Sequence, residues 1–340
     1  MTYTFRNTEK NNEKASVFET KSLLYLIGQR KDKKEIFHVT FDCFNDVSGL
    51  NQNFDKIWDV QSKNEKNLTP KKIGKYFYTL FDNYISGFSF HEFIFFTQEL
   101  NEIYKINTKL REYNYKNFEQ KTASRITNGL NEEIIRVKGN SKSYQTEINA
   151  FLDKVIIIED SKTELEYIKS ITKFKNKDVK PIDFYNNFFK ELRDLQSSKK
   201  NSCIEDQTII NVSDVINLQR HLSSKDIETL IISRIIGCEV FKFKSIPKPF
   251  FNVIKHLDIE DLEDLLQDCN SNLSLAFFNK NSNRPFWNTC EKILEFLETN
   301  LTQDVEFVFT NVFNPYTQKI SYLNEITIKY LISIIIEGKQ

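Results

Sequence analysis

Glycine and proline are scarce in this chain, at 8 and 6 of 340 residues. So few turn-formers, beside abundant Lys, Asn, Ile and Leu, point to much helix. Cysteine is sparse and dispersed: Cys43, Cys203, Cys238, Cys269 and Cys290 form no C-x-x-C pair. That spacing indicates neither a zinc ribbon nor a disulfide framework, and buried free thiols in a reducing cytosol are the expectation. An excess of charge of either sign is also missing, with 47 basic against 47 acidic residues. The balance does not advertise a nucleic-acid binder, although a local basic groove can sit on a neutral molecule. The longest late apolar run, residues 326–336, is broken by Lys329 and is too short to span a bilayer. Residues 1–16 are polar, so no signal peptide is expected. Together these absences predict a soluble, cytoplasmic protein with no membrane span.

Several chemical signatures are missing as well. Gly74-Lys75 is followed by Tyr76 with no glycines upstream, so there is no Walker A loop. There is no G-x-G-x-x-G and no H-E-x-x-H, although His91-Glu92 begins a strand-like run. The histidines His38, His91, His221 and His256 are scattered, and each reads as structural; only His38 shares a strand face with an acidic residue, Asp42. No repeat period stands out.

What is present suits two domains, or one with a large appendage. Hydrophobic residues make up 40% of the chain and include 30 Phe, enough for real cores. Apolar positions in residues 16–28 predict a helix that Gly28 ends. Glu19 lies in its first turn, either as surface charge favoured by the helix dipole or as a metal-site carboxylate. Residues 35–43 alternate and predict a strand. Residues 45–53, with Asp46 and the pair Ser48-Gly49, read as a hairpin connection. Residues 56–63 form the second clear strand: Asp59, Gln61 and Lys63 point one way and Trp58, Val60 and Ser62 the other, with Trp58 in the core.

Thr69-Pro70 starts a helix over 70–85, with Lys71, Lys72 and Lys75 near its beginning. A nearly continuous apolar strand follows over 89–97, and the intervening helix makes it a parallel neighbour of the strand before. Residues 121–142 are polar, with Gly129, Gly139 and Asn140 as breakers. A short strand over 154–159 could join the sheet. Helices are expected over 163–174 and 182–195, and residues 196–206 make the best linker. Beyond it come helices over 212–222, 225–236, 250–256, 259–266, 287–298 and 322–337, and a strand over 238–243. The fold class is therefore α/β, a mixed sheet flanked by helices over residues 1–200, followed by a mainly α-helical domain over 205–340.

The order Asp46, then Gln61-Ser62-Lys63 on the next strand, then a helix, then an apolar strand ending Phe95-Phe96-Thr97, resembles the PD-(D/E)XK nuclease superfamily. Gln61 in the second motif looks like its Mrr-like branch. Residues 18–97 are most similar to the nuclease domain of double-stranded-DNA endonuclease effectors in bacterial antiphage systems. These include the SAVED-containing effectors of CBASS defence and the nuclease subunit of Lamassu systems. The resemblance covers residues 15 to about 160. With no clear SAVED signature in the C-terminal part, the Lamassu-like reading is favoured.

The resemblance implies that Asp46 binds Mg2+ or Mn2+, that Gln61 adds a side-chain oxygen, and that Lys63 orients or activates the attacking water. Glu19 matches the position of a further metal or water ligand, and Asp42 that of a Glu before the catalytic Asp, here shorter. Double-stranded DNA is the implied substrate and an SMC-type ATPase the implied partner. Lys71, Lys72 and Lys75 read either as a solvated helix end or as contacts to DNA phosphates. An unregulated nuclease would damage its host, so the C-terminal part is expected to restrain the site through partners or a homo-oligomer. Two other readings stand beside this one: a catalytically inactive nuclease-fold subunit that holds DNA or a partner, and a purely structural interaction protein.

Overall fold

The computed structural model describes residues 2–5, 13–140, 142–242, 245–313 and 321–339. They divide into two units, Met1–Ile171 with Phe189–Ser224, and Thr172–Phe188 with Lys225–Gln340. The first unit carries strands β1 (Tyr3–Thr4), β2 (His38–Phe41), β3 (Val47–Leu50), β4 (Ile57–Lys63), β5 (Glu92–Gln98), β6 (Glu112–Asn114), β7 (Val155–Asp160), β8 (Thr208–Ile209) and β9 (His221–Ser223). Its helices are α1 (Glu13–Leu24), α2 (Pro70–Tyr84), α3 (Gln120–Lys138), α4 (Gln145–Leu152) and α5 (Glu164–Ile171), with the later part of α6 (Ile182–Lys199). Seven strands form one mixed sheet in the order β6-β7-β5-β4-β3-β2-β9. β4, β5 and β7 run parallel to one another, and the remaining pairs are antiparallel.

The centre of this sheet follows from its sequence. Thr69 accepts a hydrogen bond from the Lys72 amide and Pro70 opens α2, so the helix begins where its cap signal lies. Its apolar stripe, Ile73, Phe77, Leu80 and Phe81, is fully buried. The rings of Phe77 and Phe95 meet edge-on at 5.2 Å, and Phe81, Phe93 and Phe151 cluster at 5.5–5.6 Å. Each buried Phe contributes roughly 2–3 kcal/mol to the cohesion of this layer. β5 is buried through its middle five residues, as a parallel strand covered on both faces must be. Trp58 is fully buried on the opposite face of β4, with its Nε1 donating to Asp32 at 2.9 Å.

Several elements differ from expectation, each for a tertiary reason. Residues 47–50, read as a turn, are strand β3, paired on both sides by β2 and β4 and wholly buried. The connection into it shrinks to residues 42–46. Residues 120–138, read as polar chain with breakers, are helix α3, whose apolar positions Ile126, Leu130 and Ile134 face the core. Gly129 does not break it. A Cβ there would sit 2.1 Å from the Lys71 carbonyl, and one on Gly74 only 1.9 Å from that of Ile126, so the two glycines let α2 and α3 cross backbone to backbone. Gly139, at φ 78°, is the left-handed stop.

Residues 212–222, expected as one helix, form a 3-10 turn over Val212–Leu218 and then β9, which covers the open edge of β2. Residues 196–206, expected as a linker, belong to the first unit: α6 runs to Lys199 and Gln196 is buried. The strand expected over 238–243 is a 3-10 turn at Val240–Lys242, and residue 243 lies outside the described residues.

The second unit is helical in its described residues. It comprises the start of α6, then α7 (Ser224–Ile236, from Lys225), α8 (Phe251–Ile254), α9 (Ile259–Phe278), α10 (Asn283–Thr299), α11 (Val305–Val312) and α12 (Glu325–Gly338). Ile231, Ile235, Trp287, Cys290, Leu331 and Ile335 are fully buried in it. Glu228, on α7, gathers four donors from Lys173, Lys225, Asn283 and Trp287. No described helix is long and apolar enough to cross a membrane.

Candidate functional site

The site begins with the five-residue turn between β2 and β3. Asp42 takes a left-handed backbone, φ 49°, and Asp46 closes the turn. One oxygen of Asp46, Oδ2, accepts from the Ser62 amide at 2.7 Å, the Ser62 hydroxyl at 2.9 Å and the Gln61 Nε2 at 2.7 Å. Asp46 and Gln61 are thus in direct contact. Helix α2 runs back along β4, and its side chains meet those of the strand in sequence. Asn83 bonds Asp59, Thr79 bonds Gln61, and Tyr76 lies under Lys63. The match follows from geometry, since one helical turn rises about as far as two strand residues.

Asp59 anchors the turn from below. It is fully buried, and accepts from Asn45 Nδ2 at 2.6 Å, Ser48 Oγ at 3.1 Å and Asn83 Nδ2 at 2.7 Å. Asn83 also donates to the Phe44 carbonyl at 3.1 Å and accepts from Tyr3 at 2.8 Å. Burial pushes the Asp59 carboxyl up to about 7; the donors from Asn83, Asn45 and Ser48 hold it down in part, and the charge of Asp46 raises it. Between pH 4 and 7 the folded chain therefore binds a proton at Asp59 that the unfolded chain has lost. The stability this proton gives is complete below pH 4 and disappears as pH rises through 7, at most about 4 kcal/mol. Urea unfolding at pH 5 and pH 8 should show a smaller loss for Asp59→Asn than for the wild type; equal losses would contradict the assignment.

Glu19, on α1, brings the third element. Glu19, Asp42 and Asp46 each offer one carboxylate oxygen, all within 4.8 Å of one another. The Lys200 ammonium bonds Glu19 Oε2 and Asp42 Oδ1, the latter at 3.0 Å. Burial pushes the Glu19 carboxyl up to about 7; Lys200 lowers it, and the charges of Asp46 and Asp42 raise it. These residues and Gln61 line a cleft of about 1040 Å³, which extends past Thr79 and Asp82 to Lys138 and Glu147. A hard divalent cation such as Mg2+ or Mn2+ takes oxygen donors of this kind, so the donor set fits one.

The structure brings Asp46, Gln61 and Glu19 together and adds Asp42. Gln61 turns its Nε2 toward Asp46, and its Oε1 accepts from Thr79 at 2.5 Å. Lys63 shares the strand face of Gln61 but is not among the described residues lining the cleft; its ammonium lies 5.2 Å from the centre of the Tyr76 ring. Lys71 pairs with Glu132 at 2.7 Å, Lys72 pairs with Glu65, and Lys75 is exposed. Both pairs are solvent-facing and contribute little to stability.

Sequence reasoning missed Asp59 as an anchor, and missed Lys200 altogether. A carboxylate between Trp58 and Val60 in an apolar strand was a usable signal for Asp59. Nothing local marks Lys200. No family model, no curated protein and no solved structure matches the chain.

Proposed function

We propose that this chain is a metal-dependent endonuclease of the PD-(D/E)XK type that hydrolyses phosphodiester bonds of double-stranded DNA. The observation that carries the reading is the convergence of Glu19, Asp42 and Asp46 within 4.8 Å in the lining of a cleft, with Gln61 bonded to Asp46. Asp46, Glu19 and Asp42 would hold Mg2+ or Mn2+, which when bound supplies Lewis acidity to phosphate and water. A half-turn of the Gln61 amide would put its carbonyl oxygen beside Asp46. The Thr79 hydroxyl can accept from the amide as readily as it donates, so the turn keeps that bond. Lys63 would orient the attacking water and offset charge on the phosphate. Lys71, Lys72 and Lys75 would track the DNA backbone, Lys71 and Lys72 exchanging weak exposed carboxylate partners for phosphates.

Within the same proposal the chain is a cytoplasmic effector of an antiphage complex, paired with an SMC-type ATPase. The helical second unit would restrain the site by docking a partner or setting a homo-oligomer. One observation favours the alternative of an inactive nuclease-fold module for DNA or a partner: Gln61 presents a donor to Asp46, not an acceptor.

The test is cleavage of supercoiled plasmid with Mg2+ or Mn2+, alone and with the partner ATPase, beside a chelator control and Lys63→Ala. Nicking that the chelator abolishes and Lys63→Ala slows about 100-fold is the expected result. Equal cutting by both chains would remove the assignment, and DNA binding without cutting would select the inactive module.

A further inference from the structure

Lys200 comes from far along the chain, yet its place at the site is built with care for its backbone. The last turn of α6 is fixed on α1: buried Gln196 accepts from the Thr20 hydroxyl at 2.8 Å, and the hydroxyls of Ser16 and Ser197 meet at 3.3 Å. Just beyond, the guanidinium of Arg220, 3% exposed, donates to the carbonyls of Lys200 at 2.8 Å, Ser202, and Asp42 at 3.4 Å. One side chain thus ties the backbone of Lys200 to that of Asp42. The Lys200 side chain, 8% exposed, reaches Glu19 and Asp42 and lines the same cleft.

A fixed ion pair here would be a poor stabiliser, because desolvating both charges offsets most of their attraction. The same two carboxylates are also the ones a divalent cation would need. An ammonium held against these carboxylates repels a divalent ion placed among them, and at this range the repulsion is strong. A lysine can yield, since its charge rides on a flexible four-carbon stem.

We propose that Lys200 is the exchangeable cation of this site: it holds Glu19 and Asp42 while no divalent ion is bound, gives them up to one, and turns its ammonium to a non-bridging oxygen of the DNA phosphate. The inference rests on the nuclease reading above. It makes Lys200 a second ammonium beside Lys63, from a different part of the chain.

Mn2+ is titrated calorimetrically into the full chain and into Lys200→Met and Lys200→Arg, and plasmid cleavage is followed at saturating Mn2+. Lys200→Met should bind Mn2+ about tenfold more tightly, having lost its competitor, and should cut about 100-fold more slowly. Lys200→Arg keeps the charge, and its fork holds carboxylates at least as firmly, so it should show no gain in Mn2+ affinity. An unchanged or weaker Mn2+ affinity in Lys200→Met, or cutting at the wild-type rate, overturns the proposal. An equal gain in Lys200→Arg also overturns it, because the effect would then lie in packing. If Lys200→Met unfolds, recovery of its melting transition on adding Mn2+ supports the proposal, and failure to recover makes Lys200 a fixed counter-charge. A wild-type chain that binds no Mn2+ removes the nuclease reading itself. A wild type that binds and cuts, with Lys200→Met indistinguishable from it, removes this inference alone.

Discussion

Asp46→Asn should bind Mn2+ about 100-fold more weakly than the wild type and cut DNA about a thousandfold more slowly, while unfolding within a few degrees of it. The separation of charge from fold follows from the hydrogen bonds. One oxygen of Asp46 receives three donors, from the Ser62 amide, the Ser62 hydroxyl and Gln61. Asparagine keeps one carbonyl oxygen for those donors and gives up the negative charge. Glu19 and Asp42 then remain as the only carboxylates of the trio, with Lys200 already bonded to both. Isothermal titration, plasmid nicking and thermal melting measure the three quantities separately. A variant that keeps its Mn2+ affinity would show that Asp46 serves the turn and not a cation.

The largest loss of stability is expected in the second unit, at Glu228. Its Oε1 accepts from Lys173 at 2.6 Å, Trp287 Nε1 at 2.8 Å and Asn283 at 2.9 Å, and its Oε2 from Lys225 at 3.0 Å. Burial alone would raise this carboxyl, but the Lys173 and Lys225 ammonium groups and the Asn283 donor outweigh it and hold it below its ordinary value. Glu228→Ala strands the buried indole N–H of Trp287 and leaves two lysines facing each other. Removing one partner of such a group costs about 3–5 kcal/mol, a large share of a domain's stability. Glu228→Gln keeps a neutral acceptor for Trp287 and should lose about half as much. Chemical unfolding of the full chain, followed by the fluorescence of its tryptophans, measures both, and a loss below 1 kcal/mol for Glu228→Ala would contradict this account of the network.

The parts of the fold that could be read from the sequence are those with a period or a cap of their own. Alternation placed β4, an apolar run placed β5 and β7, and Thr69-Pro70 placed the start of α2. Strand β3 was hidden because Ser48-Gly49 carries turn chemistry; only the ladders on both sides make it a strand. Helix α3 was hidden by a long polar face and by Gly129, whose purpose is visible only against α2. For the candidate site, Asp46, Gln61 and Glu19 could be named because the motif order pointed to them, and Gln61 and Glu19 lie on elements that could be read. Lys200 could not, since its neighbours Glu19, Asp42 and Arg220 approach it only through the tertiary fold.

The bond from Arg220 to both Asp42 and Lys200, next to the strand β9 that pairs with β2, has a consequence for biosynthesis. A growing polypeptide possesses Glu19, Asp42, Asp46 and Gln61 early, whereas Lys200, and after it the Arg220 that ties its backbone to that of Asp42, are added much later. Pairings so distant along the chain form late. A nascent chain would carry its acidic cluster before its ammonium partner, then acquire Arg220 and the last edge strand within the same short span of translation.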